Sequence, residues 1–441
     1  MNMEERDESI KPLDTTVSFE NYIEHLITLL KYLRIWRQRN IFSMSKLFVL
    51  TITIALSLFA NFVLIISEIL MVSGNSDVER LSNTINPLGL HMNGFIKWIY
   101  CISKSKEISR IVADLNRCYL LSKKTRISKT GCDFSKTEME TVYKDSRIWQ
   151  YLWTTFCVYG ILHWCFNALI QKYYGQMNNL NTNDSNANID YDSLPYITWQ
   201  PWDIGTDKGY AYSFIIQLIG ALTSTVGAAC YDSLHICILM VICGQLRCLY
   251  FSLIEIDTIV DVRTIEELER KLRYCVDHHR AVLKISKDLE SFGNLPMFVQ
   301  CLENIIIICL LSFEMSVIEI KTDSESMTKL LSLLEYFSAL SVQLYIFCFY
   351  STRIYSLGLQ IADAVYACNW EITIYDKIES TTKDKQLIMK VKHLILLLSL
   401  RAQKPIIMTG GPFYVLSLET FKSIMSFAVS NAVILRQLSE N

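Results

Sequence analysis

Lys404-Pro405-Ile406-Ile407-Met408-Thr409-Gly410-Gly411-Pro412-Phe413 opens the last stretch of the chain, and an unbroken run from Ser417 to Leu438 follows it. At 1.5 Å per residue that run is about 33 Å long as a helix, enough to cross a hydrocarbon core of about 30 Å. It is not a plain leucine slab. Glu419, Lys422, Asn431, Arg436 and Gln437 lie along it, with Thr420, Ser423, Ser426 and Ser430 between them. Polar groups at membrane depth are costly and face protein or water. The pattern predicts a helix that lines a wet conduit, and the Gly-Gly-Pro break predicts a joint just before it.

The rest of the chain agrees with a membrane setting. Its 441 residues are 51% hydrophobic and 20% charged, with only 7 Pro and 15 Gly. No strand–helix alternation of an α/β enzyme is present, and Ser, His and Asp are scattered without a nucleophile–base pair, a phosphate loop or a metal-ligand spacing. No cofactor or metal is therefore expected. The net charge of −2 gives no general attraction to nucleic acid. The 14 Cys contain no CxxC pair, and the segment 174–207 has none, so no outer disulfide framework is expected. The acidic N-terminus, with Glu4, Glu5, Asp7 and Glu8, does not read as a cleavable signal peptide.

Apolar runs of membrane length fall near 47–72, 81–103, 148–173, 210–243, 298–320, 330–355 and 417–438, which predicts seven transmembrane helices. The second is the least apolar, with Pro87, Gly89, His91 and Lys97 inside it. Lys and Arg then set the sidedness. Segments 1–46, 104–147, 247–291 and 353–404 hold 7, 11, 8 and 8 of them, or 34 of the 42. The alternate loop 174–207 holds none and is rich in Asp. The positive-inside rule predicts a cytoplasmic N-terminus and an extracellular C-terminus. Asn183-Asp184-Ser185 is a glycosylation sequon in that outer loop, which makes Asn183 a modification site. This orientation is opposite to that of a G-protein-coupled receptor.

Two inward segments are too patterned to be loops. Residues 249–292 repeat apolar side chains at helical spacing with charge on the other faces. His278 and His279 fall on the charged side and are expected in solvent. Residues 386–403 are densely apolar but too short to span, so they are expected to pack within the protein or against another subunit. Both are predicted to form a cytoplasmic helical anchor.

The end of the chain resembles the insect odorant receptor family. The residues that carry the resemblance are Gln343-Leu344 with Phe347-Cys348-Phe349-Tyr350, Ala364-Val365-Tyr366 and Asn369-Trp370. Arg401-Ala402-Gln403-Lys404-Pro405, Gly410-Gly411-Pro412-Phe413 and Leu416-Ser417-Leu418-Glu419-Thr420-Phe421 follow in order, and Pro201-Trp202-Asp203 adds to it upstream. The resemblance implies an all-α membrane protein that acts as an odorant receptor. It would be the ligand-binding subunit of a heteromeric, odorant-gated, non-selective cation channel in the plasma membrane, at the sensory dendrite of olfactory neurons. Its implied partners are a small volatile apolar ligand, a coreceptor subunit completing a heterotetramer, and membrane lipid. The coreceptor's long insertion between the fourth and fifth spans is not evident here, which points to a tuning subunit. A pheromone receptor of the same fold fits equally. Gustatory receptors end in a TYxxxxxQF motif, whereas this chain has Thr420-Phe421 and Phe427. A secondary transporter fits less well, since no internal repeat is visible.

On a helical projection Thr420, Ser423, Phe427, Ser430, Asn431, Ile434 and Leu438 share one face. The same face could serve helix packing through its small residues. The resemblance assigns it to the pore, with a gate at Ile434 and Leu438 and Gln437 beside them. A pocket for apolar ligands should be aromatic and aliphatic with few polar groups. Cys157, Gly160 and Trp164 share one face of the third span, flanked by Tyr159 and His163, and the trio matches pocket-lining positions in a family member. Phe214, Gln217 and Leu218 in the fourth span, Tyr336, Phe337 and Leu340 in the sixth, and Leu88 and His91 in the second are further candidates. Each could equally be bundle core.

Overall fold

The computed structural model describes residues 23–33, 35, 44–73, 78–125, 129–182, 194–258, 265–318, 324–371 and 382–439. Asn183 lies outside them. Among them are ten helices: α1 (Glu24–Tyr32), α2 (Met44–Val72), α3 (Val78–Ser103), α4 (Ser105–Thr125), α5 (Lys129–Thr182), α6 (Asp207–Thr258), α7 (Ile265–Val317), α8 (Ser324–Ala367), α9 (Thr382–Ala402) and α10 (Leu418–Ser439). A backbone in lipid must satisfy its own hydrogen bonds, which a helix does within one segment. Five of these helices, α2, α5, α6, α7 and α8, are long and apolar enough to cross a membrane. The segments 81–103 and 417–438 form α3 and α10.

Several helices run far past bilayer length. At 52 residues α6 is about 78 Å long, more than twice a hydrocarbon core of about 30 Å. It is the central post, buried along most of its apolar stretch, and α2, α3, α5, α7 and α8 all pack on it. By contrast α2 turns Phe48, Leu56, Phe59 and Phe62 outward, the surface expected to meet lipid acyl chains.

Gly94 sets the α3–α6 crossing. A Cβ there would stand 2.3 Å from the Ser224 carbonyl oxygen, so only glycine allows the two backbones so close.

The amphipathic stretch 249–292 is not one helix. It is shared between the end of α6 at Thr258 and the start of α7 at Ile265. Both histidines expected in solvent are buried, and His278 Nε2 lies 2.9 Å from Gln245 Oε1. The charged residues around them do not mark a solvent face, because α9 and α4 cover part of α7. On α9, Val391, Ile395, Leu398 and Ala402 recur at helical spacing and are buried, while Met389, Leu396, Leu397 and Leu400 face outward. Among the described residues all 14 cysteines are free thiols, 11 of them buried.

Two histidines outside the membrane-length segments are held neutral. Burial, with Arg147 nearby, lowers His25 to about 4. Burial, with Arg401 nearby, lowers His279 to about 4. A histidine free in the unfolded chain titrates near 6.5, so the stabilisation is present above that pH and is lost as pH falls through about 4. Purified protein should therefore keep a constant Tm between pH 7 and 8 and melt earlier from pH 6 to pH 4. A His25→Gln/His279→Gln variant should flatten that acid limb. An equally steep limb in the variant would refute the assignment.

Between α9 and α10 the chain makes a small hairpin. β1 (Thr409–Gly410) pairs antiparallel with β2 (Tyr414–Val415), and Leu416 N–H donates to the Met408 carbonyl. Gly411 turns it with φ +66°, a left-handed conformation. Its N–H donates to the Asn294 carbonyl of α7 at 3.1 Å, and Asn294 Nδ2 donates to Thr409 Oγ1 at 2.8 Å. The α10 N-terminus is capped by Ser417, whose Oγ accepts from Thr420 N–H at 3.1 Å.

Candidate ligand cavity and last helix

Helices α3, α5, α6, α7 and α8 line a cavity of about 620 Å³. The face of α5 forms one wall through Trp153, Cys157, Gly160, Trp164, Asn167 and Gln171, successive turns of a single helix face. Gly160 faces open space: a Cβ built there meets nothing within 4 Å. Tyr336 and Leu340 line the opposite wall with Ser332, Leu333 and Gln343 of α8. Tyr336 is fixed by its hydroxyl, which donates to the Asn86 carbonyl at 3.1 Å.

A loop at 194–197 closes one end, and no helical or strand period in the sequence announces it. Trp164 Nε1 donates to the Pro195 carbonyl at 2.7 Å. Gln217 receives the Tyr196 N–H at 3.2 Å and donates to the Tyr196 carbonyl at 3.0 Å and to Thr198 Oγ1 at 2.7 Å. Gln217 thus lies behind the lid rather than in the wall. His91 does too. It sits edge-on to Tyr196 at 4.7 Å and binds Glu68 Oε1 through Nδ1 at 2.8 Å, both side chains fully buried.

The remaining expected pocket residues lie off the cavity. Tyr159 points outward, stacked on His163, and His163 Nδ1 meets Glu335 at 3.0 Å. Phe214 and Leu218 pack in a small cluster with Ile161 and Tyr196. Phe337 packs with Ile308, Leu311 and Ala428, towards the last helix. Leu88 is absent from the wall, because α3 presents Asn83, Asn86, Pro87, Leu90 and Asn93 instead. Those five fall on one face of α3, and the three asparagines among them make a polar stripe that would have marked the register. In α6 the wall is Thr225, Ala228, Ala229 and Asp232, two or more turns beyond the expected residues.

At the cavity's edge Asp232 joins a buried polar network. Lys97 Nζ lies 2.7 Å from Asp232 Oδ1, each side chain about 1% exposed. Lys97 also donates to Gln300 Oε1, as Asn93 does at 2.8 Å. Gln300 Nε2 donates to Asn304 at 2.8 Å and Gln343 at 3.1 Å, and Gln343 donates to Asp232. Four helices are tied by this network, and it gives Lys97 the partner that a charge inside a bundle requires.

The last helix buries Ile424, Ala428 and Ala432 against α7 and α8. Phe427, Ser430 and Ile434 are exposed, with Phe427 at 57% and Ile434 at 52%, while Asn431 is half-buried and donates to the Phe427 carbonyl at 2.8 Å. Gln437 and Arg436 are also exposed. Leu438 belongs to the same helix, and its side chain lies outside the described ones.

The structure is that of a helical membrane-type protein with a mainly apolar cavity and a polar last helix. A family model described as 7tm Odorant receptor matches residues 77–429, and the chain belongs to that family. It is 23% identical to Odorant receptor 2a of Drosophila melanogaster over 54% of this chain and 58% of that one. It is 20% identical to the Odorant receptor coreceptor of Anopheles gambiae over 57% of this chain and 64% of that one. The chain spans about half the length of the first curated relatives it matches, 58% and 46%. Its fold is that of the olfactory receptor OR5 of Machilis hrabei, solved in complex with eugenol. That likeness has a TM-score of 0.72 and 14% identity, and covers 95% of this chain and 98% of that one.

Proposed function

We propose that the chain is the ligand-binding, tuning subunit of an odorant-gated, non-selective cation channel that assembles with a coreceptor subunit in the plasma membrane of olfactory neurons. The observation that carries this reading is the cavity, whose size suits a small ligand and whose mainly apolar surface with a few polar groups suits a mainly apolar one. Seven spans with a cytoplasmic N-terminus follow from the charge pattern, α3 and α10 crossing within the bundle and not against lipid. The last helix supplies the pore wall: its outward face carries Phe427, Ser430, Asn431 and Ile434, and Ile434 and Leu438 form the gate, with Gln437 beside them. The outward face of α9, with Met389, Leu396, Leu397 and Leu400, is the anchor surface against neighbouring subunits. Similarity to curated odorant receptors and coreceptors supports both the ligand class and the partner.

Gly160→Trp tests this directly. The indole enters open cavity space and leaves the packed core untouched, so surface expression with a coreceptor should match the wild type. Currents evoked by any activating odorant should fall at least tenfold in potency. Unchanged dose–response curves would remove the cavity from consideration as the ligand site.

A further inference from the structure

Four carboxylates belong to the cavity wall, and three are answered within the protein. Asp232 lies against Lys97, Glu335 against His163, and Glu314 accepts hydrogen bonds from Ser82 at 2.5 Å and Asn86 at 2.7 Å. Glu303 differs. Both of its carboxylate oxygens are enclosed, and neither has a hydrogen-bond partner among the described residues. Its Cγ stands 3.9 Å from the place a Cβ would occupy on Gly89, so α3 offers no side chain to it there. A carboxyl group shut away from water without a partner costs several kcal/mol, and a donor brought to it recovers much of that.

We propose that Glu303 makes the receptor selective for ligands that carry one hydrogen-bonding group, that is, small and mainly apolar molecules with a single hydroxyl or amine. The inference rests on the cavity being the ligand site. The stem of Glu303 reaches the cavity wall, and a turn about its side-chain torsions brings the carboxyl group to the ligand. Ile161, Leu311 and Leu340 meet the apolar remainder. A ligand of the same shape without a polar group leaves the carboxyl group unpaired, which is the stronger source of discrimination.

The test uses the full chain co-expressed with a coreceptor and three probes of equal size: hexanol, hexylamine and heptane. The wild type should respond to hexanol or hexylamine at concentrations at least about tenfold below heptane, the ratio expected for one lost hydrogen bond to a buried group. Glu303→Leu should erase that ratio. Glu303→Gln keeps the shape and a carbonyl acceptor, which guards against misfolding. It should lower the hexylamine response at least tenfold and leave heptane unchanged. A wild type indifferent to all three probes, or without preference for the polar probes, overturns the inference, as do variants that shift all three equally. Gly160→Trp separates the two levels. If it silences the receptor while Glu303→Leu keeps the preference for the polar probes, only the role of Glu303 falls. If it changes nothing, the cavity reading falls with it.

Discussion

Replacing Lys97 with methionine is expected to cost about 3–5 kcal/mol, the usual consequence of removing one partner from a buried ion pair. Methionine fills much the same space, so the loss is electrostatic. Asp232 would remain about 1% exposed with its cation gone and, among the described residues, the Gln343 amide as its one remaining side-chain donor. Gln300 would lose the ammonium it accepts from, leaving Asn93 as its donor. Thermal unfolding of the detergent-purified protein should fall by several degrees, and less receptor should reach the cell surface. Adding Asp232→Asn should restore most of the loss, because the neutral amide removes the stranded charge. A single variant with wild-type Tm, or a double variant no better than the single, would show that the pair does not hold the bundle together.

Gly411→Ala should be the most damaging change in the joint before the last helix. The left-handed backbone alone costs a side-chain-bearing residue about 1–2 kcal/mol. The added Cβ would also stand 2.5 Å from Phe298 Cδ2 and 2.7 Å from its Cγ, so the ring must move. Phe298 packs between Phe413 and Tyr414, both centroids 6.3 Å away, and its displacement would unseat the hairpin from α7. We expect a lower Tm together with odorant-evoked currents reduced beyond the loss of surface protein. Gly410→Ala is the milder comparison, since its Cβ meets the Met297 carbonyl group at 3.3 Å without a positive φ. Equal, small effects of the two substitutions would contradict the special role of Gly411.

What the sequence made legible follows from which physics is local. Helices in lipid announce themselves by apolar runs, and membership of the odorant receptor family was readable from the motifs at 401–421. The α5 trio of Cys157, Gly160 and Trp164 could be grouped because the three positions lie on one helix. Residues from different helices could not. Leu88 and His91 missed the cavity because the rotation of α3 is set by its close crossing with α6 at Gly94. Phe214, Gln217 and Leu218 missed it because depth along α6 depends on where neighbouring helices cross. The lid at 194–197 has no period to read. His278 and His279 looked solvated because charge on a helix marks solvent only when nothing else covers it, and α9 and α4 lie over this one.

The length of α6 has a mechanical consequence. A rod of about 78 Å held in a bilayer is a lever, and a tilt of one degree about its middle carries each tip by about 0.7 Å. The cavity wall at Thr225–Asp232 lies close to the middle of that rod, where the arm to either tip is long. A ligand that wedges the bundle by a few degrees would therefore move the far ends of α6 by ångströms, with the stiffness of the helix as the only transmission required.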